Sequence, residues 1–189
     1  WQALFERGAL QAGETVLVQG TGGVAIFGLQ LARAQGARVI VTSSSDAKLE
    51  RARALGAWQT INYRAQPDWD RAALDYTGGR GVDHILELGG PDTCDRSIAA
   101  IAPGGRISQI GVLTGFYTQP NIQPLMFKNA SIHGICVGSI EHFERLNRYL
   151  ATHRIHPVID RQFAFDEAPA AYQHLKGASH FGKVAIDFT

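Results

Sequence analysis

The chain has 189 residues, of which 45% are hydrophobic and 19% charged, and its formal net charge is +1. This composition is ordinary for a globular domain, and the small charge argues against nucleic acid or an anionic membrane as a partner. No apolar run approaches the length of a membrane span, and the first residues lack the pattern of a secretory signal. The two cysteines, Cys94 and Cys136, are far apart and form no C-x-x-C pair, which favours two buried free thiols in a reducing cytosol over a disulfide. We therefore expect a cytoplasmic protein.

In chain order, apolar runs alternate with stretches of helical periodicity. The predicted strands cover residues 15–19, 38–42, 58–63, 82–88, 106–110 and 131–137. The predicted helices cover residues 1–8, 24–35, 46–55, 68–76, 93–102 and 140–153, with a turn at 103–105 and a loop with one helical turn at 115–128. Such alternation predicts βαβ units and a parallel sheet, and strands that are apolar on both faces predict helices on both sides.

The last part of the chain departs from this alternation. Residues 161–165 and 181–188 are predicted strands on either side of a helix over 166–176, for which Asp166 is the expected N-cap.

The first strand leads into a glycine-rich turn. Gly20, Gly22 and Ala25 match the dinucleotide-binding fingerprint G-x-G-x-x-G/A between a strand and a helix. Gly20 permits the tight turn, Gly22 lets a pyrophosphate reach the backbone, and the small Ala25 lets helix and strand approach closely. The free N–H groups of the helix start then face the phosphates. A plain strand-to-helix turn is the alternative, because glycine turns are common.

The carboxyl ends of the predicted strands carry small or polar residues. These are Gly20, Ser43, Tyr63, Gly89-Gly90, Gly111 and Gly138-Ser139. Ligands of open α/β sheets bind outside these ends. Loops are often rich in glycine and serine in any case, but the coincidence with the fingerprint favours an extended ligand.

Other candidate chemistry is weaker. His153 and His156 form an H-x-x-H pair, but Pro157 ends any helix there, which favours solvated histidines over zinc ligands. Glu87 and Asp92 flank a glycine pair, for which a strand-end or turn role is the usual outcome. The basic residues form no stripe interleaved with aromatic residues, which argues against nucleic-acid binding.

Taken together, these motifs resemble the medium-chain dehydrogenase/reductase superfamily, and most of all its quinone-oxidoreductase branch and the alcohol-dehydrogenase-like proteins near it. The matching pieces are residues 16–24, 42–49, 54–63, 103–107, 110–113, 134–139, 157–160 and 180–184. The resemblance covers nearly the whole chain. It implies a Rossmann fold, a doubly wound parallel sheet of six strands in the order 3-2-1-4-5-6 with helices on both faces.

The resemblance also implies a domain organisation. Members of the superfamily carry an N-terminal catalytic domain that holds most zinc ligands of true alcohol dehydrogenases, and this chain starts at the helix that enters the cofactor domain. We therefore expect an excised NAD(P)-binding domain over residues 1–154 and a segment over 155–189 that returns to the absent catalytic domain. We expect no metal site and no catalytic residue in this chain, and residues 181–188 are candidates for an orphaned segment.

The end of the second strand predicts the cofactor. An NAD fingerprint places Asp or Glu there, about 20 residues past the glycines, to bind the ribose 2′-OH. This chain has Ser43 and Ser44 instead, with Lys48 one helical turn further. In similar quinone reductases, the Lys at this position and the Tyr that corresponds to Tyr63 hold the 2′-phosphate. We therefore expect NADP(H) to be preferred over NAD(H).

Two alternatives to this assignment remain open. Asp46 could replace the missing acid and bind the ribose, although it lies where a helix N-cap belongs. Lys48 could be an ordinary solvated lysine, which is the usual role of a surface lysine.

The nicotinamide end is expected beyond the fifth and sixth strands. Gly111, Val112, Val137 and Ser139 would form its site, with the two valines as an apolar wall. The remaining expected cofactor contacts are Gly20, Thr21, Gly22, Gly23 and Val24. The sixth strand, 131–137, is expected to pair with its symmetry mate in a homodimer, because its outer edge has unpaired backbone groups and similar proteins pair it. A loop or the following helix could cover this edge instead.

Two functions fit these observations. The first is the cofactor domain of an oxidoreductase that moves a hydride between NADP(H) and a quinone, carbonyl or conjugated alkene. The second is a nucleotide-binding sensor or structural protein that lacks catalysis. A fold by itself cannot separate the two.

Overall fold

A computed structural model of the chain describes residues 1–117 and 119–188. The main-sheet strands are β1 (Thr15–Gln19), β2 (Arg38–Ser43), β3 (Gln59–Asn62), β4 (Val82–Glu87), β5 (Ile101–Gln109) and β6 (Ser131–Gly134). They form one sheet in the order β3-β2-β1-β4-β5-β6, and every neighbouring pair is parallel. The predicted Rossmann topology is thereby confirmed.

Helices cover both faces of this sheet. They are α1 (Gly23–Ala34), α2 (Asp46–Ala54), α3 (Trp69–Tyr76), α4 (Pro91–Ala100), α5 (Gln123–Lys128) and α6 (Ile140–His153), preceded by one helical turn at Gln2–Glu6. The opening turn, α1, α2 and α6 share one hydrophobic core, which includes Leu4, Leu29 and Leu49. On the opposite face α3, α4 and α5 pack around Trp69 and Ile98. Core on both faces explains why all five residues of β1 are buried.

The end of the chain forms a small second sheet. Strands β7 (Ile159–Ala164) and β8 (Lys183–Asp187) are parallel, and a short turn at Phe165–Glu167 and helix α7 (Ala168–Lys176) connect them. Residues 181–188 are therefore not orphaned, since β8 pairs with β7 and Phe181 is buried in the core shared with α1. The expected cap at Asp166 is wrong, because Asp166 lies inside the turn at Phe165–Glu167, which follows Ala164, and the residue at the N-cap of α7 is Glu167.

Some element boundaries differ from the sequence predictions. The predicted turn at 103–105 lies inside β5, where a register shift against Val82 and His84 accommodates the Pro-Gly-Gly segment. Strand β6 ends at Gly134 instead of residue 137. One further hydrogen bond follows the strand, in which the Ile135 N–H donates to the Gln109 carbonyl at 2.9 Å. Helix α4 begins earlier than predicted, at Pro91, because proline suits a first helical turn. Residue 118 of the predicted loop lies outside the described residues.

Within the described part of the chain, every helix is too short or too polar to cross a membrane.

Candidate functional site

The glycine loop between β1 and α1 has the geometry that its glycines predict. Gly20 has φ of +80°, which L side chains rarely adopt, and its N–H donates to the Thr42 carbonyl at 2.9 Å. Gly22 immediately precedes α1 and has no side chain to cap it. The first N–H groups of a 12-residue helix therefore remain available to an anion at this loop.

The close approach of α1 to the sheet depends on a further small residue. Ala25 is buried, as expected of the third fingerprint position. A Cβ added to Gly28, however, would lie 2.5 Å from Leu86 Cδ1 on β4. Gly28 thus lies where helix and sheet are closest, one turn beyond the fingerprint.

A first cleft lies on one side of the glycine loop, among the loops that follow β1, β3 and β4. Its volume is about 470 Å³, and its lining includes Gly20, Tyr63, Trp69, Gly89 and Leu113. Aromatic and aliphatic side chains form much of this lining, and the phenol-bearing Tyr63 is 43% exposed. The first cleft can therefore hold a flat, partly apolar group beside the phosphate-binding loop.

A second cleft of about 340 Å³ lies on the other side of the loop. Val24, Ile110, Val137 and Ser139 are among its lining residues. Ser139 also caps α6, since its hydroxyl accepts the N–H of His142 at 3.3 Å. The structure thus brings Val24, Val137 and Ser139 together.

Gly111 and Val112, which are also expected at the nicotinamide, lie against the loop after β4. The Gly111 N–H donates to the Glu87 carbonyl at 3.1 Å, and a Cβ on Gly90 would lie 3.1 Å from the Val112 Cα. Val112 therefore packs towards the loop after β4, and Ile110 is the β5-side residue that lines the second cleft.

The end of β2 carries the residues expected at the 2′-phosphate. Ser43 is almost fully buried, and its hydroxyl accepts the Ser45 N–H at 3.3 Å. Its carbonyl accepts the Tyr63 N–H at 3.1 Å, which places Tyr63 beside it. Ser44 is half-buried and joins β2 to α2. The structure therefore brings Ser43, Ser44 and Tyr63 to one edge of the sheet.

Lys48 and Asp46, on the first turn of α2, both have partners. The Lys48 ammonium donates to the Ala178 carbonyl at 2.7 Å, and burial lowers the pKa of Lys48. The cap of α2 is Ser45, whose hydroxyl accepts the Lys48 N–H, so the cap position assigned to Asp46 is wrong. Asp46 instead accepts a 2.7 Å hydrogen bond from the Asn62 amide.

Residues 178–183, which we call the closing segment, lie against the glycine loop. The Gly182 N–H donates to the Thr21 carbonyl at 2.9 Å, and Gly182 forms a parallel bridge with Gly22. A Cβ on Gly23 would lie 2.5 Å from Lys183 Cδ and 3.4 Å from its Nζ. The closing segment therefore brings the Lys183 ammonium to the start of α1. Residues 180–184 contribute to the family resemblance, but the sequence alone predicted no role for them in the site.

A buried polar network holds the loop that follows β4, which lines part of the first cleft. The carboxylate of Glu87 accepts from the Gly89 and Gly90 N–H groups at 3.0 Å and from the Gln19 amide at 2.7 Å. The Thr93 hydroxyl donates to it at 2.5 Å, and the Ser97 hydroxyl also donates. This network confirms the strand-end role expected of Glu87. The role of Gln19 was missed, because no local pattern marks a glutamine that bonds a carboxylate at the end of the neighbouring strand, 68 positions away.

The thiols and histidines do not assemble a metal site in the described residues, where no group of three or more His, Cys, Asp or Glu side chains could hold an ion. Cys94 on α4 is buried in the core, as expected, and burial raises the pKa of its thiol, whereas Cys136 is exposed and the expectation of a second buried thiol is wrong. His153 and His156 are exposed around the end of α6. The donor groups of residues 1–117 and 119–188 thus form no set that fits a zinc ion, and no chemistry at zinc is assigned to them.

Comparison with known proteins agrees with this geometry. The family model described as zinc-binding dehydrogenase matches residues 23–152. A zinc-type alcohol dehydrogenase-like protein of Schizosaccharomyces pombe is 44% identical over 192 residues, covering 98% of this chain and 56% of the relative. The chain spans about half the length of this curated relative and of a second one.

Solved structures share the whole fold. A candidate alcohol dehydrogenase of Sinorhizobium meliloti 1021 superposes with a TM-score of 0.94 at 50% identity, over 100% of this chain and 55% of that one. An NAD-dependent alcohol dehydrogenase gives 0.91 at 31% identity, with coverage of 100% and 55%. A mycobacterial protein in complex with NADPH gives 0.81 at 26% identity, with coverage of 98% and 61%.

Proposed function

Because the chain belongs to the zinc-binding dehydrogenase family of the medium-chain dehydrogenase/reductase superfamily, we propose that it is the cofactor-binding part of an NADP(H)-dependent oxidoreductase. The observation that carries the proposal is the glycine loop, which lies between two clefts at the carboxyl edge of the sheet. An extended dinucleotide has two nucleoside ends joined by a pyrophosphate, and this arrangement offers a place for each.

In this proposal each part of the cofactor has its own residues. The adenosine occupies the first cleft, the pyrophosphate lies over Gly22 and Gly23 with the Lys183 ammonium nearby, and the nicotinamide enters the second cleft against Val24 and Val137. Ser139, which lines the second cleft, would hold the carboxamide with its backbone, and Gly111 and Val112, which follow the lining residue Ile110, are further candidates for this contact. The bound nicotinamide supplies hydride transfer, while the protein binds and orients it.

Preference for NADP(H) rests on the edge formed by Ser43, Ser44 and Tyr63. Ser43 provides a hydroxyl where a carboxylate would repel a 2′-phosphate. Lys48 supplies a positive charge next to this edge and keeps donor capacity, since an ammonium has three N–H groups and the Ala178 carbonyl takes one. Asp46 is engaged by Asn62, which weakens its case as the ribose ligand.

Direct titration of NADPH and NADH into the chain tests the assignment. Wild type should prefer NADPH, and Lys48→Ala should weaken NADPH by about tenfold more than NADH, because only NADPH has the 2′-phosphate and a hydrogen bond to a charged group contributes about 1.5–3 kcal/mol. Ser43→Asp should reverse the preference. Lys176→Ala, which removes an exposed lysine of α7, controls for the loss of one charge. Equal affinities in wild type, or unchanged NADPH binding in Lys48→Ala, would reject the preference.

The chemical substrate is proposed at the level of its class. We expect a quinone, carbonyl or conjugated alkene, and we expect turnover only from a protein that also carries a catalytic domain. Oxidation of NADPH by a panel of quinones and enones tests this in a protein of the relatives' length. Cofactor binding without oxidation by any acceptor would favour the nucleotide sensor. A cytoplasmic location also remains a prediction.

We further propose a homodimer through β6, which is an edge strand of the main sheet. Ile132 on this strand is 36% exposed, and Met126 and Phe127 of the adjacent α5 are also exposed. Sedimentation at tens of micromolar, in the range of ordinary interface affinities, should show a dimer. Ile132→Lys should dissociate it, because a lysine on an edge disfavours pairing, whereas Leu175→Lys on α7 should not. A monomeric wild type would contradict the proposal.

A further inference from the structure

His180 lies in the closing segment at the point nearest the glycine loop. A Cβ built on Gly22 would have one neighbouring atom within 4 Å among the described residues, the Nε2 atom of His180 at 3.9 Å. The open space over Gly22 is the space that the fingerprint leaves for a pyrophosphate. A phosphate oxygen in that space is therefore within hydrogen-bonding reach of His180 Nε2.

The closing segment is held in this position by contacts on both sides of His180. On one side the Ala178 carbonyl accepts from Lys48, and on the other the Gly182 N–H donates to Thr21. Phe181 is buried in the core, and the Arg51 guanidinium lies 4.2 Å from the centre of its ring. The imidazole is thus carried by an anchored backbone, which suits a residue that must meet a ligand at a set distance.

The protonation of His180 suits a neutral donor. Its Nδ1 atom is buried and has no hydrogen-bond partner among residues 1–117 and 119–188. A proton added there would have no acceptor, and burial together with the nearby Lys48 ammonium lowers the pKa of His180. The charged and titratable groups around the ring are Lys48 on α2, Asp160 on β7, His174 on α7 and Lys183 on β8. The neutral ring therefore carries its proton on Nε2 when an acceptor is bound there.

We infer that His180 is a cofactor-contacting residue, whose neutral imidazole donates a hydrogen bond from Nε2 to the pyrophosphate of the dinucleotide over Gly22. This inference rests on the proposed function, since it requires a dinucleotide in the site. It gives the closing segment a side-chain contact with the pyrophosphate, in addition to the backbone contacts of the glycine loop and the contacts of the 2′-phosphate residues. Because NAD(H) and NADP(H) share the pyrophosphate, the contact contributes to affinity and not to the choice between them.

Binding of fragments separates this contact from a structural role. ADP carries the pyrophosphate without the 2′-phosphate, and adenosine 2′-monophosphate carries the 2′-phosphate without the pyrophosphate. His180→Leu should weaken ADP, NADH and NADPH by about tenfold each, the worth of one hydrogen bond to a charged group, and should leave adenosine 2′-monophosphate unchanged. His180→Gln keeps a donor near the Nε2 position and should restore ADP binding to within about threefold, less than one such bond.

Each other outcome is decisive. If ADP binding is unchanged in His180→Leu, the contact does not exist. If adenosine 2′-monophosphate weakens as much as ADP, His180 only supports the segment and the inference is overturned. If wild type binds neither NADPH, NADH nor ADP, the proposed function fails and the inference fails with it.

Discussion

The side chains of Arg51 and Asp160 form an ion pair, with 2.9 Å between Nη1 and Oδ1, that joins α2 of the main fold to β7 of the small sheet. The other carboxylate oxygen of Asp160 meets His174 Nε2 at 3.0 Å, and the Phe181 N–H also donates to the carboxylate. One carboxylate therefore connects α2, α7 and the closing segment. This connection holds the closing segment beside the glycine loop.

Loss of this carboxylate should loosen the closing segment. We expect Asp160→Asn to speed hydrogen exchange of the backbone amides at 180–183. The asparagine amide is a weaker hydrogen-bond acceptor than a carboxylate, and it carries no charge to pair with the Arg51 guanidinium. Exchange measured by mass spectrometry should remain unchanged in β1 and β4. Asp166→Asn, at an exposed position in the turn before α7, is the matched control. Equal exchange in the two variants would show that Asp160 does not anchor the segment.

The buried carboxylate of Glu87 should be required for stability. In Glu87→Gln, one oxygen becomes an NH₂ group that faces donors such as the Gly89 and Gly90 N–H groups. We expect the free energy of unfolding to fall by about 2–4 kcal/mol, the cost of losing charged hydrogen bonds and leaving donors unpaired. Urea unfolding measures this. Glu144→Gln, on the exposed side of α6, should change little, and a similar small effect for Glu87→Gln would refute the role of the network.

Gly111 should not tolerate a side chain. A Cβ there would lie 2.8 Å from the Leu88 Cα and closer still to the Leu88 carbonyl oxygen, neither of which can move independently of the backbone. We expect Gly111→Ala to destabilise the fold by about 1–3 kcal/mol, as overpacking does. A Cβ on Gly134, at the end of the neighbouring strand, meets nothing within 4 Å. Gly134→Ala should thus stay within about 0.5 kcal/mol of wild type, and comparable losses in both variants would contradict the steric explanation.

Buried His84 should make stability depend on pH. Burial lowers the pKa of His84 in the folded state, although its Nε2 lies 2.9 Å from the Glu14 carboxylate, which opposes the shift. Below the ordinary histidine pKa of about 6.5, the unfolded chain therefore binds more protons at this residue than the folded chain. Stability contributed by neutral His84 is present above about pH 6.5 and declines as the pH falls below it.

Unfolding free energies between about pH 5 and 8, the range in which histidine titrates, test this sign. The slope should be smaller in His84→Gln than in wild type, whereas His156→Gln, which removes an exposed histidine, should keep the wild-type slope. A slope in His84→Gln that equals that of wild type would exclude His84 as its source.

The amino-acid sequence by itself determined two features, the alternation of strands and helices and the glycine loop, whereas the strand order 3-2-1-4-5-6 was implied by the family resemblance. Both depend on local signals, since apolar periodicity sets each strand and helix and Gly20 is needed where φ is +80°. The residues at the strand ends could be predicted for the same reason, because the carboxyl ends of parallel strands meet at one edge. Ser43, Tyr63, Val137 and Ser139 were predicted to lie at this edge in this way, and their contacts with a cofactor remain predictions.

Only the tertiary structure decided what surrounds that edge. The partner of Lys48 is Ala178, 130 positions further along the chain, and the neighbour of Gly22 is His180. Gln19 likewise bonds to Glu87, 68 positions away. Such contacts follow from how the elements pack, because a side chain's periodicity and turn chemistry describe its own element and not the distant backbone that comes to lie beside it.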